Sequence, residues 1–243
     1  MPVGFMSKPD VKMTFTEHLA ELRTRIIRSA IAVGVCGAAG YGFNNQIFQL
    51  LRKPLGTVEK LQYISPFEPF LTRLSIAFYV GVFLALPVIL YQALMFVIPA
   101  LKPRERKVVL GGLLSSSVLT ITGLTVAFIG ILPIIFPVMR SFAPEGVEAN
   151  LRLEYYVNVV FKFLIAFAVG FQFPIVMVSL VHLGIVPVRF FVKNAKYVLV
   201  IILIVSALFT PPDPISQIMM AVPLFCLYVL SLGVAYLFRK RES

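Results

Sequence analysis

Two carboxylates sit among arginines in short polar stretches of an otherwise apolar chain. Glu21 lies in His18-Leu19-Ala20-Glu21-Leu22-Arg23-Thr24-Arg25, and Glu105 in Lys102-Pro103-Arg104-Glu105-Arg106-Lys107. A carboxylate flanked by cations does one of two things. It offsets its neighbours, or, held in place by them, it accepts paired N–H bonds from an incoming guanidinium, whose planar fork matches it. Gln172 poses a different problem. It stands in Phe171-Gln172-Phe173-Pro174, in the middle of an apolar run. Its amide needs partners where bulk water is absent. Those partners are carbonyls freed by Pro174, which has no N–H, or the walls of a polar cavity.

The remaining polar residues in apolar surroundings are Glu68, Arg73, Lys162, His182 and Asp213. Glu68 and Arg73 are five residues apart and read either as an interfacial pair or, for Glu68, as part of the same polar lining as Gln172. Asp213, in the turn Thr210-Pro211-Pro212-Asp213-Pro214, is assigned to that lining too. Lys162 is close enough to a span end to snorkel, and His182 reads as interfacial. No H-E-x-x-H, G-x-S-x-G or phosphate-binding loop is present, and there are two His in the chain, so enzymatic chemistry is not expected. Cys36 and Cys226 both fall in apolar stretches and read as small buried hydrophobes. No Cys/His grouping suggests a metal, and no cofactor is expected.

The elements that carry these residues follow from composition. Of 243 residues, 59% are hydrophobic and 14% charged, with a mean hydropathy of +0.92. Soluble domains run at about 45–50% apolar and about 25% charged. An ordinary soluble protein, a disordered chain and a secreted disulfide scaffold are therefore excluded. The expected class is an all-α membrane protein forming a single integral membrane domain over residues 1–243. Spans are placed near 26–44, 70–98, 108–133, 157–182, 197–210 and 215–237, with an N-terminal tail over 1–25 and a C-terminal tail over 238–243. The first span does not read as a cleaved signal peptide, because Asp10, Glu17 and Glu21 precede it. Ala30, Gly34, Ala38 and Gly42 recur every four residues within it, a stripe suited to close helix packing.

The fifth span is the short one. The stretch between Lys196 and Pro211 is 14 residues, about 21 Å of helix, against a hydrocarbon core of about 30 Å. Charge counting decides whether it crosses. Summed over alternate connections, Lys and Arg number fifteen on one side and five on the other, leaving out Arg73 and Lys162. The richer side belongs in the cytoplasm, and with both tails on that side the number of spans is even. Six spans with both termini cytoplasmic is the consistent topology. Short fifth and sixth spans then imply a cupped bundle, dipped on its outer face. The net charge of +11 is thus a topology signal, and no nucleic-acid partner is expected.

These residues, in this order, resemble the TatC family, the polytopic core subunit of the twin-arginine protein translocase. The likeness runs from about His18 to Arg241. It is carried by H-L-A-E-L-R-T-R at 18–25, K-P-L at 53–55, S-P-F-E-P at 65–69, P-V-I-L-Y-Q at 87–92 and P-A-L-K-P-R-E-R at 99–106. A-P-E-G at 143–146, F-Q-F-P at 171–174 and T-P-P-D at 210–213 complete it. The resemblance implies a signal-peptide receptor that exports folded proteins across the bacterial cytoplasmic (inner) membrane using the proton-motive force. Its implied partners are the single-span TatA and TatB subunits, twin-arginine signal peptides, membrane lipids and further copies of itself in a receptor complex. It places signal-peptide recognition at Glu21 and Glu105, with Arg23, Arg25 and Arg106 beside them. Many family members carry an intramembrane Glu where this chain has Gln172, and a Gln cannot titrate. The competing reading is a secondary transporter of a small solute or ion. It would need paired ionisable groups at the midplane, and the halves of the chain show no obvious inverted repeat.

Overall fold

The structure, a computed structural model, describes residues 15–56, 61–97, 115–144, 150–182 and 184–237. Helix α1 spans Phe15–Gly42 and meets α2, Asn44–Leu51, at Phe43. Together with the 3-10 turn Lys53–Leu55, this bent pair turns through 83°. Asn44 holds the corner: buried, it donates from Nδ2 to the Arg73 carbonyl at 2.9 Å. The long helices that follow are α3, Glu68–Val97, and α4, Ser115–Arg140. Then come α5, Leu153–Gly170, α6, Phe173–His182, the short α7, Val188–Lys193, and α8, Ala195–Phe209. The last is α9, Pro214–Leu237.

Among the described residues, four helical stretches are long and apolar enough to cross a bilayer: Glu68–Phe96, Ser115–Arg140, Leu153–His182 and Pro214–Leu237. The bent pair at the N-terminus is a fifth if it counts as one span, and Ala195–Phe209 is a shorter apolar helix. Large apolar side chains such as Ile31, Val35, Ile129, Val169 and Leu208 lie exposed around them, as a lipid-facing surface requires. The chain is a helical membrane protein. At 15 residues α8 is about 22 Å long. The last helix differs from the short sixth span expected: its 24 residues reach about 36 Å. Pro214 starts it directly after the turn, and the apolar run carries it past Tyr236.

Helix α1 packs along α3, but not through the stripe that its spacing suggests. Gly34, Ala38 and Gly42 are exposed. The contact is made instead by Val33, Gly37 and Gly40 against Ala77 and Gly81. A Cβ added at Gly81 would come within 2.7 Å of both Gly37 N and Val33 O. Two helices with several small residues each pack on the faces where both are small, and Ala77 and Gly81 of α3 select which face of α1 that is.

The centre of the bundle is α5, whose Tyr156, Val160, Phe161, Phe163 and Phe167 are all within 1% of full burial. Phe161 stacks on Tyr79 of α3 with centroids 4.4 Å apart, and Tyr156 meets Phe136 of α4 at 5.2 Å. The Tyr156 hydroxyl donates to the Leu51 carbonyl, tying α5 to the end of α2. Within α4, Val126–Ile131 form a π-helical stretch just before Pro133. Widening the turn there spares the helix the clash and the missing N–H that proline brings, so it continues to Arg140. A second cluster joins Met177 and Val181 of α6, Val188 and Phe191 of α7, and Tyr228 and Ala235 of α9. Cys36 is half-buried and Cys226 is exposed on α9, so the expectation of two buried thiols fails for Cys226. An apolar helix face turned to lipid reads in sequence like one turned to the core.

Two connections meet at one end of the bundle. Strand β1, Leu61–Gln62, pairs in parallel with β2, Leu151–Arg152, and Gln62 Nε2 donates to Asn150 Oδ1 at 3.0 Å. This joint positions Glu68, at the first turn of α3.

Candidate functional site

Near the start of α1, Glu21 and Arg25 fall one turn apart on the same side of the helix. Arg25 Nε donates to Glu21 Oε1 at 3.0 Å, and Nη2 donates to the same oxygen. Across the groove to α3, Arg25 Nη1 donates to Gln92 Oε1 at 3.4 Å. His18 stacks on Phe96 of α3, centroids 4.2 Å apart, with Nδ1 at 3.9 Å from Glu21 Oε2. That second oxygen, Oε2, is buried and has no hydrogen-bond partner among the described residues. Ala20, Glu21, Thr24, Arg25 and Arg28 line an open cavity of about 320 Å³ here. The result is a carboxylate fixed in orientation by a guanidinium, with one acceptor still unused. Arg23 is exposed and makes no ion pair with Glu21. Glu105 and Arg106 lie outside the described residues.

Gln172 stands at the break between α5 and α6. The Phe171 amide bonds Phe167 O, and the Gln172 amide bonds Val169 O at 3.0 Å, so Ala168 O loses its usual helical donor. Gln172 Nε2 reaches back to Ala168 O at 3.4 Å, and also donates to Thr120 Oγ1 at 2.6 Å and Ser116 O at 3.4 Å. Its Oε1 accepts from Ser116 Oγ. The carbonyl that Gln172 satisfies is thus freed by the turn at its own amide and not by Pro174, and the same side chain bonds polar groups of α4. Gly123 permits this approach, since a Cβ there would come within 2.9 Å of Phe167 O. Ser116 and Thr120 did not stand out in the sequence. Their signal is there, because two hydroxyls four residues apart in an apolar helix share one face.

Glu68 and Asp213 are placed elsewhere. Glu68 is buried; its Oε2 accepts from Arg152 Nε and Ile64 N, both at 3.1 Å, and its Oε1 from Glu154 N at 3.1 Å. Its cationic partner is thus Arg152, not Arg73, which reaches Asn45 Oδ1 at 3.5 Å. Five residues make about 1.4 helical turns, so positions 68 and 73 do not share a face. Asp213 caps α9: its Oδ1 accepts from Ser216 N at 2.6 Å, with Pro214 at the first helical position. Gln172, Glu68 and Asp213 make no hydrogen bond to one another. Among the described residues, no group of three His, Cys, Asp or Glu could hold a metal ion.

The family model described as Sec-independent protein translocase protein (TatC) matches residues 17–223. The chain belongs to the TatC family. It is 36% identical over 242 residues to the Sec-independent protein translocase protein TatC of Desulforapulum autotrophicum, covering 98% of this chain and 90% of that one. To the TatC of Escherichia coli (strain K12) it is 36% identical over 229 residues, covering 92% and 88%. Among solved structures it matches the crystal structure of the twin arginine translocase receptor TatC with a TM-score of 0.83. That match has 32% identity and covers 91% of this chain and 99% of the other. As a TatC protein it is a multi-pass protein of the inner membrane and a transport subunit, not an enzyme.

Proposed function

We propose that this TatC-family chain is the signal-peptide receptor of a twin-arginine translocase, exporting folded proteins with the proton-motive force. In this reading the paired arginines of the signal peptide reach Glu21 and Glu105 at the cytoplasmic face, with Arg23, Arg25 and Arg106 around them. The observation that carries it is the state of Glu21. Arg25 occupies one carboxylate oxygen; the other has His18 Nδ1 at 3.9 Å and no hydrogen-bond partner among the described residues, and an open cavity lies beside the pair. A second guanidinium can complete the carboxylate with charge-assisted bonds. The solved relative, a twin arginine translocase receptor, agrees with this role.

The reading includes six crossings within one membrane domain, both termini in the cytoplasm, and assembly with the single-span TatA and TatB subunits and further copies of this chain. The charge asymmetry supports that orientation. Within the membrane, Gln172 acts as a hydrogen-bonding group and not as a proton carrier. The test is binding of a synthetic signal peptide to the purified full chain, with Arg-Arg or Lys-Lys at the paired position. The receptor reading predicts clear preference for Arg-Arg, since an ammonium lacks the planar fork. Equal binding of the two peptides contradicts it.

A further inference from the structure

We propose that the groove between α7 and the end of α9 is a binding site for an anionic phospholipid. The groove encloses about 460 Å³ and is lined by Val188, Arg189, Val192 and Lys193 of α7 and by Tyr236 of α9. Arg189 and Lys193 are one turn apart and form a cationic row; Val188 and Val192 form an apolar row beside it. Neither cation pairs with a carboxylate among the described residues. Residues 183–209 and α9 contain no Asp or Glu.

The walls are fixed before any ligand arrives. Val188 and Phe191 are buried in the cluster formed with α6 and α9, and the buried Tyr228 hydroxyl donates to the Phe191 carbonyl at 2.7 Å. The groove also lies at a membrane boundary. α8 follows α7 directly, Lys196 Nζ sits 5.1 Å over the Tyr197 ring, and Phe190, Tyr197 and Tyr236 are exposed. Aromatic and basic side chains at a span end mark the headgroup level. Two cations beside a valine row suit a phosphate headgroup whose acyl chain must still lie on apolar surface; basic clefts between spans hold anionic headgroups in this way. Free phosphate would satisfy the cations and leave the valines unused. The location also matters mechanically. α8 is about 22 Å long, so the bilayer beside it must thin. A headgroup held at α7 pins the leaflet at the level the short helix requires.

The test uses the purified full chain in detergent, with native mass spectrometry to count bound dioleoylphosphatidylglycerol against dioleoylphosphatidylcholine. The wild type is expected to prefer phosphatidylglycerol about tenfold. The preference should vanish in the Arg189→Gln/Lys193→Gln variant and persist in Lys162→Gln, which removes an exposed cation on α5. Equal binding of the two lipids, or an unchanged preference in the double variant, overturns the proposal. Displacement of phosphatidylglycerol by millimolar inorganic phosphate also overturns it, in favour of a simple anion site. The site requires only a membrane boundary at α7, so signal-peptide binding by the double variant should be unchanged. A chain that binds neither Arg-Arg peptide nor Lys-Lys peptide, yet keeps the lipid preference, would count against the receptor reading alone.

Discussion

Arg25 holds Glu21 through Nε at 3.0 Å and reaches Gln92 of α3 with Nη1 at 3.4 Å. One guanidinium therefore both orients the carboxylate and anchors it to the neighbouring helix. Arg25→Ala should weaken binding of an Arg-Arg signal peptide by about three- to tenfold, the loss of one orienting charged bond. Arg25→Lys should recover part of it. Tighter binding by the Ala variant would show that Arg25 competes with the peptide instead of positioning Glu21. Isothermal titration on purified protein reads the difference.

Gln172 is bonded to Ser116, Thr120 and Ala168. Leu at this position removes donor and acceptor and strands buried hydroxyls, so Gln172→Leu should impair export of a twin-arginine reporter at matched expression while signal-peptide binding survives. Gln172→Glu should be tolerated, because a carboxyl in a low-dielectric site stays protonated and still bonds. Full activity of the Leu variant would reduce Gln172 to packing.

Glu68 collects three N–H donors from Ile64, Arg152 and Glu154. Glu68→Ala strands the Ile64 and Glu154 amides where β1 and β2 join the ends of α3 and α5, while Arg152 keeps Glu154. Thermal unfolding in detergent should fall by several degrees, more than for Arg152→Ala, since Arg152 is half exposed and the carboxylate is the hub. Signal-peptide binding at the other end of α3 should be little changed.

Gly81→Ala places a Cβ against the backbone of Val33 and Gly37, whereas Gly34→Ala meets nothing within 4 Å. The first should cost about 1–3 kcal/mol of stability; the second should be neutral. The same thermal assay separates them.

The helices were legible in the sequence because lipid demands long apolar runs, and the short α8 was legible because Lys196 and Pro211 bracket its apolar run. Pairings across helices were not. Which of two small-residue stripes on α1 meets α3 depends on Ala77 and Gly81, distant in the chain. Arg152 as the partner of Glu68 depends on a strand pairing only two residues long. At the site, Glu21 was visible as an acid among arginines. Gln92 was not, since a lone amide near a span end carries no spacing signal until α1 and α3 are packed.

The central claim is that the Glu21 carboxylate receives a signal-peptide arginine, and the most direct measurement is the affinity of an Arg-Arg peptide for Glu21→Gln. Gln keeps the size and shape of the side chain and removes the charge that makes these bonds strong. The predicted loss is about 10–100-fold, from one charge-assisted interaction of about 1.5–3 kcal/mol, with the Arg-Arg over Lys-Lys preference reduced in parallel. Wild-type affinity and undiminished preference in Glu21→Gln would contradict the account.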